Sequence, residues 1–140
     1  MKYLDTNIFI YALENHEKYG KACAKILQDL EDGRLKAACS FLVPIELIGA
    51  IQKLNKMNPK ARQPELSPSK TLDIIFSYPL VWLDIGLFTI RHAATYSDEL
   101  FGADCIHAAS MELNGVREII SADADFDRLR GIKRVDPLKY

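Results

Sequence analysis

The stretch YLDTNIFIYA, residues 3–12, places a single acidic side chain between two apolar segments. Residues 2–5 form a short apolar run that is typical of a buried strand, and a helix is predicted to begin at Thr6 or Asn7. Asp5 therefore lies where the strand ends and the helix begins. An aspartate at that point either caps the helix or belongs to a site beside the hydrophobic core.

The composition is that of one globular domain, residues 1–140, with 49% apolar and 26% charged residues. A net charge of −1 gives no overall attraction for nucleic acid, so a polyanion would need a local basic patch or metal ions.

Cys23, Cys39 and Cys105 lie in apolar or small-residue segments, which predicts buried, reduced thiols. No segment is long and apolar enough to span a membrane. We therefore expect a soluble, cytoplasmic protein with no membrane partner.

Short apolar segments alternate with segments of helical periodicity along the chain. The predicted strands cover 2–5, 35–40, 80–85, 117–121 and 132–137, and the predicted helices lie near 6–13, 19–30, 43–54, 70–78, 87–97 and 103–114. This alternation indicates βαβ units. The predicted fold is a three-layer α/β/α domain with a mostly parallel, five-stranded sheet.

Residues 55–68 form the longest stretch without a helical or strand pattern, and they include three prolines. Loops of this length inside a compact domain tend to be functional or mobile. Basic residues lie in or beside the stretch: Lys53, Lys56, Lys60 and Arg62. They are either a solvated surface or a contact for nucleic-acid phosphates, and the sequence leaves both readings open.

Four acidic residues occupy comparable places near the predicted strand ends. Asp5 and Asp123 follow strands, Glu46 lies in the first turn of the helix after the second strand, and Asp104 opens the helix 103–114. In a parallel sheet, ligands bind outside the carboxyl ends of the strands, where the strand order reverses. We therefore expect the four carboxylates to converge at that edge.

Each carboxylate alone is explained by a favourable position in the first turn of a helix. Four converging carboxylates repel one another, and no Lys or Arg lies in these four motifs to neutralise them. A divalent cation with oxygen ligands, Mg²⁺ or Mn²⁺, is the better explanation. Asp125, in the run DADFD at 123–127, is a spare carboxylate that joins or replaces Asp123 in this prediction.

These motifs resemble those of the PIN-domain ribonucleases, and among them the small VapC-type toxins. The similar segments are YLDTNIFIYAL, VPIELIGAI, FGADCIHAASMELNG and IISADADF, and the resemblance runs from Lys2 to about Pro137. It implies a metal-dependent endoribonuclease whose acidic quartet is Asp5, Glu46, Asp104 and Asp123, supported by Thr6, Asn7 and Ser121. It also implies an RNA substrate, a cognate antitoxin and a homodimer.

The mechanism that the resemblance implies is hydrolysis of a phosphodiester to a 5′-phosphate and a 3′-hydroxyl. Asp5 is then the central metal ligand, with Asp104 and Asp123 completing the cation site. Glu46 orients or deprotonates the attacking water, directly or through a metal.

Other readings remain beside the toxin hypothesis. A housekeeping RNA-processing nuclease of PIN type and a non-catalytic α/β binding module are the main alternatives. A receiver-type phosphoacceptor is disfavoured because only Asp5, without an acidic neighbour, follows the first strand. A calcium loop at 123–134 is excluded because Arg128 and Arg134 stand at positions that need Gly and Glu. His107 shares a helix face with Asp104, and we expect it to be a hydrogen-bonded structural residue.

Overall fold

The computed structural model describes residues 1–57 and 65–140. The strands are β1 (Lys2–Leu4), β2 (Ala37–Ser40), β3 (Leu80–Leu83), β4 (Glu118–Ile120) and β5 (Lys133–Val135). The helices are α1 (Thr6–Leu13), α2 (Gly20–Glu31), α3 (Leu42–Met57), α4 (Pro68–Ser77), α5 (Leu87–Ala93) and α6 (Ala103–Leu113), with 3-10 turns at Ala94–Tyr96, Ala124–Arg128 and Pro137–Lys139. None of the helices in this described part is both long and apolar enough to cross a bilayer.

The five strands form one sheet in the order β3-β2-β1-β4-β5, and every neighbouring pair is parallel. β1 is central, with Tyr3 opposite Ala38 of β2 and Ile119 of β4. The chain builds outward from β1 through β2 to β3 and then returns to the other side of β1 for β4 and β5. The strand order therefore reverses beside β1, and the α/β fold with a five-stranded parallel sheet is confirmed.

The helices cover both faces of the sheet because alternate strand residues point to opposite faces. Tyr3 and Ile119 belong to a core with α6, whereas Leu4 and Ile120 belong to a second core with α1 and α2. Each core is apolar, and the sheet lies between two helical layers, as the sequence predicts. The three cysteines lie in these cores as free thiols, also as predicted.

The prediction of an irregular stretch over 55–68 is wrong at both of its ends. α3 continues to Met57, and α4 begins at Pro68, whose ring is tolerated in the first helical turn. The Asn55 side chain binds both backbone groups of Leu66, at 2.8 and 3.0 Å, and thereby fastens the end of α3 to the segment before α4. Propensity misses this pairing because it joins residues eleven positions apart. Lys53 and Lys56 are exposed on α3, and Lys60 and Arg62 lie outside the described residues.

Candidate active site

Asp5 lies between β1 and α1, beside the point where the strand order reverses. Its side chain makes no capping hydrogen bond to α1. Instead, Asp5 Oδ2 accepts a hydrogen bond from Asn7 Nδ2 at 2.6 Å and another from Ser121 Oγ at 2.5 Å. The residue is only 6% exposed. Asp5 is thus held by the side chains around it, and the helix-cap alternative does not describe it.

The Asp5 carboxyl has a pKa above its ordinary value. Burial is the largest cause, because it penalises the charged form, and the negative charge of Glu46 acts in the same direction. The positive charge of His107 and the hydrogen bond from Ser121 oppose this rise in the pKa. The molecule therefore stabilises a buried carboxylate incompletely, which is typical of a functional site.

Ser121 connects the ends of β1 and β4. Its hydroxyl is fully buried, and while it donates to Asp5 it accepts from Asn7 Nδ2 at 3.1 Å and from the backbone N–H of Asp123 at 3.0 Å. Asn7 Oδ1 in turn accepts from the backbone N–H of Ala122 at 3.4 Å. Two of the polar residues singled out in the sequence, Asn7 and Ser121, are therefore in contact with Asp5.

Glu46 lies just beyond the first turn of α3, because the helix begins at Leu42, so its predicted place in the first turn is wrong. Its Oε1 accepts from Thr6 Oγ1 at 2.7 Å and is 2.7 Å from His107 Nε2. Burial raises the pKa of Glu46, but the hydrogen bond and charge of His107, together with the Thr6 hydroxyl, outweigh burial and bring the pKa below its ordinary value. Glu46 is accordingly ionised at neutral pH, and it is joined to Asp5's neighbour Thr6.

Asp104 lies in the first turn of α6 and is partly buried. Burial and then the negative charge of Asp5 raise the pKa of Asp104 to about 6, and Asp123 and Glu46 act in the same direction. The positive charge of His107 opposes them. The negative charges of the other three acids predicted from the sequence therefore all raise the pKa of Asp104, so the four acids interact electrostatically.

The two acids of the run after β4 differ in their surroundings. Asp123 precedes the 3-10 turn Ala124–Arg128, and its Oδ1 accepts from the backbone N–H of Asp125 at 2.8 Å. The Asp125 carboxylate is paired with Arg128 at 3.1 Å, and its side chain is 47% exposed. The negative charge of Asp123 thus acts on Asp104, whereas the carboxylate of Asp125 is paired with the Arg128 side chain. A role of Asp125 as a metal ligand stays a prediction.

The site has a deficit of positive charge. Within residues 1–57 and 65–140, no Lys or Arg forms an ion pair with Asp5, Asp104 or Asp123, and Glu46 is paired with His107. In the same part of the chain, no three His, Cys, Asp or Glu groups are close enough to hold one metal ion directly. Mg²⁺ is compatible with such a site, because it commonly keeps several waters and is bound through one or two carboxylates.

His107 is hydrogen-bonded, as the sequence predicts, but its two partners, Glu46 and Tyr3, were not predicted. His107 is fully buried between Glu46 and Tyr3, and its Nδ1 is 2.7 Å from the Tyr3 hydroxyl. The only sequence signal was the position of His107, three residues after Asp104 on the same helix. Tyr3 carried no signal, because its partner is 104 positions away in the sequence.

The model of the PIN domain family matches residues 2–132. Among solved structures, the chain resembles VapBC2 from Rickettsia felis bound to a DNA fragment from its promoter, with 22% identity, 96% of this chain and 98% of that chain covered, and a TM-score of 0.66. It also resembles a toxin–antitoxin complex from Klebsiella pneumoniae, with 19% identity, 98% of each chain covered and a TM-score of 0.60.

A third similar structure is DNA-bound VapBC from Salmonella typhimurium, with 20% identity, 98% of each chain covered and a TM-score of 0.63. No protein with a curated description matches the chain. At these identities the solved structures establish the shared fold, and the family assignment rests on the match over residues 2–132. The chain, with its acids gathered where the strand order reverses, therefore belongs to the PIN domain family.

Proposed function

We propose that this protein is a divalent-metal-dependent endoribonuclease and the toxin of a type II toxin–antitoxin pair. The observation that carries the nuclease proposal is the Asp5 carboxylate, which is only 6% exposed, lies beside the point where the strand order reverses, and is held there by Asn7 and Ser121. The raised pKa of Asp104 agrees with this proposal. A site that keeps such acids together without Lys or Arg partners in the described chain is suited to a cation and a phosphate.

Mg²⁺ or Mn²⁺ would be held, in this proposal, by the acids Asp5, Asp104 and Asp123, one or two of them directly and the others through bound water, with Asp125 as an additional or alternative ligand. The oxygen donors suit either ion, and water completes the coordination because no three protein groups in the described chain close around one position. The bound ion supplies Lewis-acid chemistry, activating water and neutralising charge on the phosphodiester.

The protein's own side chains orient the reacting groups. Asn7 and Ser121 fix Asp5 Oδ2 from two sides, which sets the direction of its second oxygen. Glu46 is ionised and is bound through Oε1, and it orients the attacking water or accepts its proton. Proton transfer of this kind contributes about 10²–10⁴-fold to a rate.

The toxin proposal rests on the structures that share this fold, which are VapBC and toxin–antitoxin complexes. Exposed apolar side chains support protein partners, because Leu87, Phe88 and Phe101 are 87%, 70% and 91% exposed. We propose that an antitoxin and a second copy of the chain are these partners, and that the complex is cytoplasmic.

The decisive experiment is cleavage of total RNA by the purified chain with Mg²⁺ or Mn²⁺, before and after addition of EDTA. Asp5→Asn is the test variant, because it removes a charge and keeps an oxygen for Asn7 and Ser121. Asp73→Asn is the matched control, since it makes the same exchange at an exposed position on α4. We expect cleavage by the wild type and the control, and none by Asp5→Asn or in EDTA.

Cleavage that persists in EDTA or in a folded Asp5→Asn variant would refute the metal-dependent mechanism. A folded wild type that neither cuts RNA nor binds Mn²⁺ in calorimetry would instead indicate a non-catalytic binding module. Cleavage without growth arrest on expression in bacteria would favour the housekeeping nuclease over the toxin.

A further inference from the structure

Both ring nitrogens of His107 have hydrogen-bond partners, although the residue is fully buried. Nε2 lies 2.7 Å from Glu46 Oε1, and Nδ1 lies 2.7 Å from the Tyr3 hydroxyl. An ionised carboxylate only accepts hydrogen bonds, so Nε2 carries the proton that it donates to Glu46. The His107 ring is therefore either the neutral tautomer protonated at Nε2 or the charged imidazolium.

The other side of the ring is held by a second set of contacts. The Tyr3 hydroxyl is 2.7 Å from Ser40 Oγ, and it accepts the backbone N–H of Ser40 at 3.1 Å. Ser40 and Tyr3 are buried in neighbouring strands, β2 and β1, and Tyr3 meets the His107 ring edge-on with centroids 5.5 Å apart. Rigid strands thus fix the ring, and the ring reaches Glu46 on α3.

The contacts on Glu46 are unequal between its two oxygens. Thr6 Oγ1 and His107 Nε2 both bind Oε1, and among the described residues no donor reaches Oε2. The Glu46 side chain is 31% exposed, whereas that of His107 is fully buried. One oxygen is therefore anchored from inside the protein, and the other is free to face a ligand or water.

We infer that His107 is a positioning residue that holds Glu46 by its Oε1 and leaves Oε2 directed at the attacking water, with Tyr3 and Ser40 holding the His107 ring in turn. This inference rests on the proposed nuclease function. It identifies the residues that hold the Glu46 carboxylate in place beside the water. His107 itself does not contact the substrate.

A purely structural histidine is the competing explanation, and paired variants separate the two. His107→Gln keeps an N–H donor at about the place of Nε2, whereas His107→Asn keeps one near Nδ1 and removes the bond to Glu46. Loss of a hydrogen bond to a charged group predicts that His107→Asn lowers kcat about 10- to 100-fold. We expect KM and Mn²⁺ affinity to remain unchanged, and His107→Gln to recover most of the lost kcat.

A double-mutant cycle tests whether His107 acts through Glu46. Glu46→Gln alone removes the ionised acceptor, and adding His107→Asn to it should change kcat less than about twofold. Independent, multiplicative losses would overturn the inference, as would a kcat for folded His107→Asn equal to that of the wild type. Equal losses of kcat in His107→Gln and His107→Asn would show that His107 only packs in the core and does not position Glu46.

An NMR readout keeps the inference separate from the nuclease proposal. In the metal-free protein without RNA, the His107 Nε2–H should give a solvent-protected, downfield imidazole resonance. It should move upfield in Glu46→Gln and vanish in His107→Gln, and its absence from the wild type would contradict the inferred contact. An inactive wild type that keeps the resonance would refute the nuclease proposal while leaving the Glu46 anchor in place.

Discussion

Replacing Asp104 by Asn is expected to stabilise the metal-free protein at neutral pH, although it removes a residue of the proposed site. The folded-state pKa of Asp104 is about 6 against an ordinary value of 3.8, first because of burial and then because of Asp5. At 1.36 kcal/mol per pKa unit this difference corresponds to an upper bound of about 3 kcal/mol. Solvent screening at this partly buried position reduces the expected gain to about 1–2 kcal/mol.

The gain in stability of Asp104→Asn depends on pH. A folded pKa above the unfolded value means that the folded state binds more protons between pH 3.8 and about 6. The destabilisation by Asp104 is therefore complete above about pH 6 and disappears as the pH falls toward 3.8. The free energy of unfolding of Asp104→Asn should exceed that of the wild type most clearly above pH 7, and the two should be equal near pH 4.

Thermal unfolding in EDTA at pH 7.5 and pH 4 measures this effect, with Asp73→Asn as the control. A gain of 1–2 kcal/mol corresponds to a Tm higher by about 2–8 °C for a domain of this size. Saturating Mn²⁺ should raise the Tm of the wild type more than that of Asp104→Asn, because binding to the folded state stabilises it. An Asp104→Asn variant less stable than the wild type at pH 7.5 without metal would refute the electrostatic reasoning.

Three further variants test the site and the core. Ser121→Ala removes a hydrogen bond that lowers the pKa of Asp5, so the acidic limb of the rate–pH profile should move to higher pH; an unmoved limb contradicts this role. Ile8→Ala, at a fully buried position, should lower the free energy of unfolding by about 2–5 kcal/mol in urea titrations, and a smaller loss would show local collapse. Gly20→Ala should destabilise by about 1–3 kcal/mol in thermal unfolding, since its Cβ would lie 2.8 Å from the Asn15 carbonyl carbon; a raised Tm contradicts that clash.

The elements of the fold were predictable because each leaves a local pattern. The alternation of apolar strands and amphipathic helices predicted five strands in a mostly parallel sheet, whereas the order of the strands within the sheet, β3-β2-β1-β4-β5, came from the structure. The end of α3 was not predictable, since the contact between Asn55 and Leu66 depends on how two segments meet in space. Such side-chain-to-backbone contacts have no periodicity in the sequence.

The acids of the site were predictable for a different reason. Asp5, Glu46 and Asp123 stand near the ends of recognisable strands, and a parallel sheet brings those ends to one edge. Their positions along the chain therefore fix their approximate position in space once the fold is known. The raised pKa of Asp104 follows first from its burial, which only the packed structure reveals, and then from the same convergence of acids.

The sequence by itself thus determined the fold class and the family, because these depend on local periodicity and short motifs, and on the same basis it predicted the acidic quartet. Only the tertiary structure decided what holds each carboxylate: Ser121 binds Asp5 across 116 positions, and His107 binds Glu46 across 61. The physical reason is that a hydrogen bond depends on distances of about 3 Å between atoms. Residues this far apart reach such distances only after β1, β2, β4 and α6 have packed together.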